Sequence, residues 1–481
     1  RMREASTSHA EPAARGPAVE GGDRFGELQP FAVVSCSYLL FTVTDGAVRM
    51  IVLLHAYTLA FTAWEVAVMF TLYEACGAVT NLVAGVAGAR WGIKRTLVSG
   101  LALQLVGLGM LLGWDEGWGK AKATVFVTVA QALCGVAKDL TKLGGKTVTK
   151  LVTPEGKQLR LFKLVAWLTG FKNSLKGLGY FLGAALLSVS YEAALLVNMA
   201  LILLAIPWAA VALRKELGRS DKQITLRSVF EKPYNVNVLS FARLFLFGSR
   251  DLWFEVPLPF FLRDAGEGLG WGRTTTGAVL ALWIIGYGQV QSWAPQTILA
   301  PLKQSPPNKW HSWLWVSLLL LAPAALGAIV DQSDRLSHTA FAALLVAGLA
   351  VFAFIFAVNS SIHSYLIVRY SDNDKVAMSV GFYYMANAIG RLTGTLASGA
   401  LYSHAGSGAR EGFAACFWAS VAFLAVTAAA TLAIKDDAGG LTCGRFACCL
   451  PETAEQEEGQ RQEEAAEEQE QEQEDGGRNA V

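Results

Sequence analysis

Long apolar stretches constrain the fold of this chain more than any other feature of its sequence. An α-helix needs roughly 20 apolar residues to cross about 30 Å of hydrocarbon. Stretches of this length predict twelve membrane spans, at 31–57, 64–88, 96–113, 123–141, 164–187, 194–213, 237–261, 275–297, 312–330, 339–368, 377–402 and 412–434. Only 16% of the residues are charged, against about 25% in soluble domains. The chain is therefore predicted to be an all-α integral membrane protein in a lipid bilayer.

Lys and Arg are distributed unevenly between the loops that join the predicted spans. Because the number of spans is even, both termini lie on the same side of the membrane. The loops on that side hold 19 Lys and Arg residues, and the opposite loops hold six. Cytoplasmic loops carry the excess of positive charge, so both termini are predicted to be cytoplasmic. The protein is expected to be a multi-pass membrane protein, with the plasma membrane as its expected location.

The predicted loop between the sixth and seventh spans divides the chain into two halves. The predicted organisation is a polar cytoplasmic N-terminal segment 1–30, a six-helix half 31–213, a cytoplasmic central loop 214–236, a second six-helix half 237–434 and an acidic, disordered cytoplasmic tail 435–481. A faint internal repeat agrees with this division. Phe41 precedes Asp45 by four residues in the first span, and Phe247 precedes Asp251 by four in the seventh.

The loop after the second span carries a motif of glycines and bases, Gly85-Val-Ala-Gly88-Ala89-Arg90-Trp91-Gly92-Ile93-Lys94-Arg95. This motif resembles the loop motif of the major facilitator superfamily, in which an Asp usually stands where this chain has Ala89. Because Ala89 has no carboxylate, it cannot make the contact with a neighbouring helix that the Asp usually makes. The resemblance implies a major-facilitator fold of 12 transmembrane helices in two pseudo-symmetric six-helix halves.

Ionisable side chains at membrane depth are the candidate functional residues, because a charge in hydrocarbon costs about 2.5–3.5 kcal/mol. Buried cations outnumber buried acids if Asp45 and Arg49 cancel, and Arg suits oxyanions. A small anionic substrate is therefore expected. The predicted substrate-binding residues are Lys138, Lys172, Asn173, Lys176, Arg243, Arg250, Asn387 and Arg391. The residues predicted to carry protons for coupling or to pair charges are Asp45, Arg49, Glu74, Asp251 and Glu255.

Structural alternatives stand beside several of these assignments. Asp45 and Arg49 lie four residues apart on one helical face and could form a self-neutralising pair. Arg250 and Asp251, as sequence neighbours, are expected to find partners on other helices. Glu74 could be buried in its protonated form.

Other residues are expected to shape the spans. Lys142 and Lys146 are interpreted as inner-rim residues whose side chains snorkel, and His55 and His363 as interface residues near helix ends. Pro257 and Pro259 should break the seventh span. Close helix contacts are expected at the glycines of the fifth and eleventh spans, namely Gly170, Gly177, Gly179, Gly183, Gly381, Gly390, Gly394 and Gly399.

Five segments resemble the organoarsenical efflux permeases of the ArsJ family. They are Thr44-Asp45-Gly46-Ala47-Val48-Arg49-Met50 and the stretches 135–142, 169–177, 243–254 and 380–391. The resemblance covers the chain from 31 to 434 and implies export of 1-arseno-3-phosphoglycerate. This ester forms when glyceraldehyde-3-phosphate dehydrogenase uses arsenate in place of phosphate, and it releases arsenate after export. A functional link to that dehydrogenase is therefore implied. No cofactor is expected for the transporter itself.

Other functions stay open at this point. The same features fit an exporter of another organic phosphate or organic anion of the same fold. A non-transporting receptor or scaffold fits less well, because it does not need unpaired buried cations. Neither nucleophile–base spacing nor a metal-ligand cluster is seen, so an enzyme and a metal site are not expected, and the charge balance does not indicate nucleic acid. For Cys443, Cys448 and Cys449 the alternatives are S-acylation, unmodified thiols and a soft-ligand cluster.

Overall fold

The computed structural model describes residues 24–152, 158–212, 233–371, 376–436, 440–444 and 446–448. Within these residues, the helices follow the predicted spans. They are α1 Arg24–Thr58, α2 Ala63–Met69, α3 Thr71–Leu112, α4 Lys120–Val152, α5 Gln158–Leu187, α6 Tyr191–Ala212, α7 Tyr234–Phe254, α8 Pro257–Arg263, α9 Arg273–Ala294, α10 Lys309–Asp331, α11 His338–Arg369, α12 Val376–His404 and α13 Ala409–Leu432. A π-helical turn, Pro295–Leu299, extends α9, and a 3₁₀ turn, Ser333–Arg335, follows α10.

Two predicted spans are interrupted in the structure. The second span begins as the short helix α2, where the Thr62 hydroxyl accepts a hydrogen bond from the backbone N–H of Glu65, and it continues as α3. The seventh span is broken between α7 and α8, where Pro257 at the start of α8 lacks a backbone donor. The break that the prolines predict is thus confirmed. It places Glu255 at the interruption, directly after α7.

The second and third predicted spans lie in one continuous helical stretch, α3, which nevertheless makes two passes. Along α3, the contacted positions on α4 first rise and then fall. The close contacts pair Tyr73 with Gly135, Gly77 with Asp139, Gly100 with Thr141 and Gly107 with Cys134. The first part of α3 is therefore parallel to α4 and the second part antiparallel, as two successive membrane spans require.

Seven stretches of the described helices are long and apolar enough to cross a membrane by length and composition. They are Cys36–Thr58, Lys94–Leu112, Lys120–Lys142, Tyr191–Val211, Lys309–Asp331, His338–Arg369 and Ala409–Leu432. The helices α5, α7 and α12 are not among them. These three carry Lys172, Arg250 and Arg391 among other polar residues. Their low hydropathy reflects the polar surface that they turn towards the interior of the bundle.

Glycine contacts relate the two halves of the fold by pseudo-symmetry. A Cβ at Gly179 of α5 would overlap the carbonyl oxygen of Val43 in α1, and one at Gly390 of α12 would overlap that of Leu244 in α7. These pairs join the fifth span of each half to the first. Between the halves, Gly170 of α5 contacts α9, and Gly399 of α12 contacts α2. The predicted close contacts at span-five and span-eleven glycines are confirmed at these positions.

Three predicted segments lie wholly or largely outside the described residues. They are the N-terminal segment up to residue 23, the central loop at 213–232 and the acidic tail from 449. The side chains at 84–93, including that of Ala89, and the side chain of Lys146 are also outside the description.

The first part of the predicted disordered tail is ordered, which corrects that expectation. Residues Leu441–Cys443 (β1) and Phe446–Cys448 (β2) form an antiparallel hairpin, with Leu441 opposite Cys448. The hairpin is held by side chains of the chain between α9 and α10: Asn308 donates to the carbonyl of Gly440 and Gln304 to that of Thr442. Asp436 accepts hydrogen bonds from Arg369 and Tyr370 at 3.2 and 2.6 Å. Burial and this hydrogen bond raise the pKa of Tyr370 above its ordinary value.

Candidate functional site

A cavity of about 180 Å³ lies between the two halves. It is lined by α1, α3, α4 and α5 from one half and by α7, α9, α11 and α12 from the other. It is smaller than the roughly 300–1,000 Å³ of sites for drug-sized ligands, so it suits a small solute. Eleven of the thirteen predicted site residues line it, and the other two, Arg49 and Asp251, bond to lining residues. Their roles in binding or coupling stay predictions.

The cavity and its immediate wall carry an excess of positive charge. The cations are Arg49, Lys138, Lys142, Lys172, Lys176, Arg243, Arg250 and Arg391. The carboxylates are Asp45, Glu74, Asp139, Asp251 and Glu255. Eight cations therefore meet five carboxylates, which leaves three positive charges.

Three arginines, Arg49, Arg250 and Arg391, form a network with three carboxylates that crosses between the halves. Arg391 of α12 contacts Glu74 at 2.9 Å, Asp251 at 2.9 Å and Glu255 at 3.0 Å. Arg49 of α1 contacts Glu74 at 3.0 Å and also bonds to Glu255. Glu74 belongs to the first half and Glu255 to the second, so both arginines join the halves. Such charge-assisted contacts are strong in a buried site.

Two expectations about charge partners are wrong in detail. Asp45 does not pair with Arg49. It accepts a hydrogen bond of 2.5 Å from the Tyr73 hydroxyl, while Arg49 reaches carboxylates on other helices. Arg250 does bond to its sequence neighbour Asp251, from Nε to Oδ1 at 2.6 Å, because its long side chain folds back along the helix surface.

The expectation that Asp251 finds a partner on another helix is confirmed, because Asp251 also bonds to Arg391 on α12. Glu74 is not isolated. It contacts two arginines and lies 3.7 Å from Lys138. Glu74 therefore belongs to the ion-pair network of the cavity wall.

Three lining cations have no carboxylate within ion-pair distance among the described residues: Lys172, Lys176 and Arg243. Arg243 is 5% exposed and donates to neutral oxygens of Asn387 at 3.1 Å and Ser360 at 3.5 Å. Its guanidinium lies 3.6 Å from the centre of the Phe247 ring. Within the described residues, these three cations therefore lack a carboxylate as counter-charge.

A chain of amide and hydroxyl groups links the lysine side of the cavity to Arg243. Asn173 of α5 donates to Gln291 of α9 at 2.9 Å, across the boundary between the halves. Gln291 donates in turn to Ser360 at 3.1 Å, and Ser360 also accepts from Arg243. Gln291 and Ser360 escaped the sequence prediction because a neutral polar residue in a span gives no distinctive signal.

Lys142 and the two histidines differ from their predicted placement. Lys142 lines the cavity, 3.3 Å from Asp139, so it is more than a rim residue. His363 is fully buried in α11 and has no hydrogen-bond partner within the described residues. His55 is 6% exposed and stacks on Tyr191 with ring centres 4.0 Å apart. Both helices end within one residue of the predicted span ends, so neighbouring helices, and not longer spans, bury the two histidines.

The end of the cavity nearest Thr58 is closed by contacts between the halves. The backbone N–H of Trp64 donates to Ser403 at 3.1 Å, and Arg273 donates to Thr58 at 2.9 Å. Within the described residues, no group of His, Cys, Asp and Glu is arranged to hold a metal ion. The site is therefore a polar, cationic chamber between two helical bodies.

Comparison with known proteins identifies the family. The model of the Major Facilitator Superfamily matches residues 31–298. The solved structure of the nucleoside transporter NupG is similar, with a TM-score of 0.63 at 12% identity, covering 85% of this chain and 100% of that one. So is a bacterial homologue of the iron transporter ferroportin in its inward-facing state, with a TM-score of 0.61 at 15% identity, covering 84% and 98%.

The same ferroportin homologue in its outward-facing state gives a TM-score of 0.60 at 13% identity, covering 84% of this chain and 98% of that one. At such low identity these structures share the fold alone. No curated protein sequence matches the chain. The family model covers more than half of the chain. The described helices of this chain make twelve passes in two related halves, which agrees with that family. The chain belongs to the major facilitator superfamily.

Proposed function

We propose that this protein is a secondary active transporter that exports an organoarsenical anion, 1-arseno-3-phosphoglycerate, from the cytoplasm and thereby gives arsenate resistance. The observation that carries the proposal is the set of unpaired cations, Lys172, Lys176 and Arg243, in the cavity between the halves. A charge buried without a partner is costly, and a scaffold protein has no use for three. An anionic substrate supplies the missing counter-charges.

The geometry suits a solute with more than one oxyanion. Lys172 and Lys176 are one helical turn apart on α5 and reach the cavity from the first half. Arg243 reaches it from the second half, and Asn387 lies within hydrogen-bond distance of its guanidinium. Arsenate and phosphate are tetrahedral oxyanions that accept such hydrogen bonds. One group can bind at the lysines while the other binds at the arginine.

Alternating access follows from the same arrangement. The contacts of Arg49 with Glu255 and of Arg391 with Glu74 join the two halves, so they must break on one side of the cavity when the halves rock apart. The similar fold of a transporter solved in inward-facing and outward-facing states supports such a motion. In the empty cavity, the carboxylates keep the three arginines paired and hold the two halves together.

A second candidate is an exporter of another organic phosphate, because arsenate and phosphate present the same oxygens. The lining residues argue against reduced arsenic as cargo: none of the described lining residues is a cysteine, and trivalent arsenic binds soft thiolates. The cavity does not discriminate between the organoarsenical anion and another organic phosphate, so the substrate depends on which of the two the cell produces. The functional link to glyceraldehyde-3-phosphate dehydrogenase belongs to the first candidate only.

Uptake of arsenic into everted membrane vesicles tests the proposal. Vesicles from cells that express the protein in the plasma membrane, with cytoplasmic termini, are supplied with arsenate, glyceraldehyde-3-phosphate, NAD and the dehydrogenase. We expect accumulation of arsenic that disappears when the dehydrogenase is omitted. Arsenite supplied alone is the control and should not accumulate. Accumulation that does not depend on the dehydrogenase would rule out the organoarsenical substrate.

A further inference from the structure

The amide side chains of the cavity differ in whether their oxygen atoms already accept a hydrogen bond. The described asparagine and glutamine residues that line it are Asn81, Asn173, Gln291 and Asn387. The Asn81 oxygen accepts from Lys142 at 3.3 Å. The Asn387 oxygen accepts from Nε of Arg243 at 3.1 Å, and the Gln291 oxygen accepts from Asn173 at 2.9 Å. Asn173 is therefore the lining amide whose oxygen has no partner among the described residues.

Hydrogen bonds to the neighbouring helices fix which end of the Asn173 amide faces the cavity. Its nitrogen, Nδ2, donates to Gln291, which is 1% exposed and donates with its own nitrogen to Ser360 at 3.1 Å. Nδ2 of Asn173 is therefore directed towards α9. The oxygen, Oδ1, is not enclosed by protein, because Asn173 lines the cavity and this atom is not among the buried atoms that lack a partner. Asn173 thus presents a neutral hydrogen-bond acceptor to the cavity.

Asn173 connects the two groups of cations that lack a carboxylate. Lys172 precedes it in the chain, and Lys176 follows it one turn later on α5. In the other direction, its nitrogen begins the chain of one amide and one hydroxyl that leads to Arg243. Ammonium and guanidinium groups only donate hydrogen bonds. A solute with one oxyanion at the lysines and another at the arginine therefore meets an acceptor between them.

A hydroxyl group in the middle of the solute is the donor that suits this acceptor. An ionised oxyanion only accepts hydrogen bonds, so it cannot donate to Oδ1 of Asn173, whereas a hydroxyl can. A neutral amide suits this position better than a carboxylate, which would repel the oxyanions on either side of it.

We infer that Asn173 selects solutes that carry a hydroxyl group on the carbon between two oxyanion-bearing carbons, and that this hydroxyl donates to Oδ1 of Asn173. The inference rests on the proposed function, since it uses the same cavity, and it narrows the substrate class. The organoarsenical anion proposed above carries such a hydroxyl on the middle carbon of its three-carbon frame. Inorganic phosphate and linear diacids without a hydroxyl lack it.

Two stable bisphosphates that differ by this hydroxyl test the inference. Glycerol 1,3-bisphosphate carries the hydroxyl, and the bisphosphate of propane-1,3-diol lacks it, while both carry the same two phosphates. Titration calorimetry with the purified full-length protein gives the two dissociation constants. We expect glycerol 1,3-bisphosphate to bind about fivefold more tightly, which is the change that one neutral hydrogen bond produces.

Two substitutions at Asn173 separate the acceptor from other effects of the residue. Asn173→Ala removes the acceptor, so the ratio of the two dissociation constants should fall to about one. Asn173→Asp keeps an acceptor and adds a negative charge, so both ligands should bind more weakly while their ratio is retained. Asn237→Ala is the matched control, because Asn237 is exposed on α7 and does not line the cavity. It should keep both dissociation constants of the parent protein.

Equal binding of the two bisphosphates to the parent protein would overturn the inference, and this result needs no variant. Absence of binding by both ligands would overturn it as well. A preference for the hydroxyl that persists in Asn173→Ala would overturn its assignment to this residue. The proposed export fails separately, when arsenic uptake into everted vesicles does not depend on the dehydrogenase. A hydroxyl preference that is lost in Asn173→Ala, without such uptake, would support the inference and reject the organoarsenical cargo.

Discussion

Replacing cavity cations one at a time should separate those that hold the protein together from those that meet the substrate. Arg391 contacts three carboxylates within 3.0 Å and links the two halves. Lys176, by contrast, has no carboxylate within ion-pair distance among the described residues and faces the cavity. The structure therefore predicts a large loss of stability for Arg391→Gln and little change in stability for Lys176→Gln.

The magnitudes follow from the partners that each change leaves behind. Removing one member of a buried ion pair typically costs about 3–5 kcal/mol. Glu74 and Glu255 keep Arg49, and Asp251 keeps Arg250, so about 3 kcal/mol is expected for Arg391→Gln. Lys176→Gln leaves no carboxylate unpaired and removes repulsion with nearby cations, so a change of at most about 1 kcal/mol in either direction is expected.

Thermal unfolding of the purified variants in detergent, with surface expression measured in parallel, tests this contrast. Lys176→Gln should keep the melting temperature of the parent protein in the absence of ligand and lose the stabilisation that a bound anion gives. At an anion concentration of about 100 times the dissociation constant, that stabilisation is about 2.7 kcal/mol in the parent. If Lys176→Gln loses as much folded protein as Arg391→Gln, the distinction between pairing and binding cations is wrong.

Three further outcomes are expected. Gly179→Ala places a Cβ against the carbonyl oxygen of Val43 and should cost about 1–3 kcal/mol, whereas Gly109→Ala, with open space around it, should keep the yield of monodisperse protein in size-exclusion chromatography. Truncation after residue 433 removes the hairpin and Asp436 and should lower the melting temperature, whereas truncation after 448 should not. Exposed Cys443 should react with an impermeant maleimide in everted vesicles but not in intact cells, with Cys443→Ser as the control. Labelling of intact cells would show that the predicted orientation is reversed. Labelling that requires prior treatment with hydroxylamine would indicate S-acylation.

The helical passes were predictable because a span is a property of about 20 consecutive residues. The mean hydropathy of such a stretch depends on all of its residues, so an error of one or two residues in its bounds does not change the prediction of a span. The break at Pro257 was predictable for a similar reason, since proline lacks the backbone donor wherever it stands in a helix. The ordered hairpin after α13 was not, because its hydrogen bonds come from Gln304 and Asn308, more than a hundred residues earlier.

Most charged residues that line the cavity were predictable as well, because a charge within a span is rare, while their roles in binding or coupling stay predictions. Their pairing was decided only by the tertiary structure. The spacing of Asp45 and Arg49 places them on one face of α1, but it carries no information about what faces them from other helices. Tyr73 reaches Asp45, and two carboxylates from different halves reach Arg49.

The same limit explains why Arg243 and Arg391, two arginines at similar depth, differ so completely in their surroundings. The sequence alone determined that this protein would bury an excess of cations in a bundle of membrane helices. Only the packing of α3, α7 and α12 decided which of them are neutralised, because an ion pair forms over about 3 Å between side chains that are distant in the chain. The unpaired set, Lys172, Lys176 and Arg243, is therefore a property of the fold.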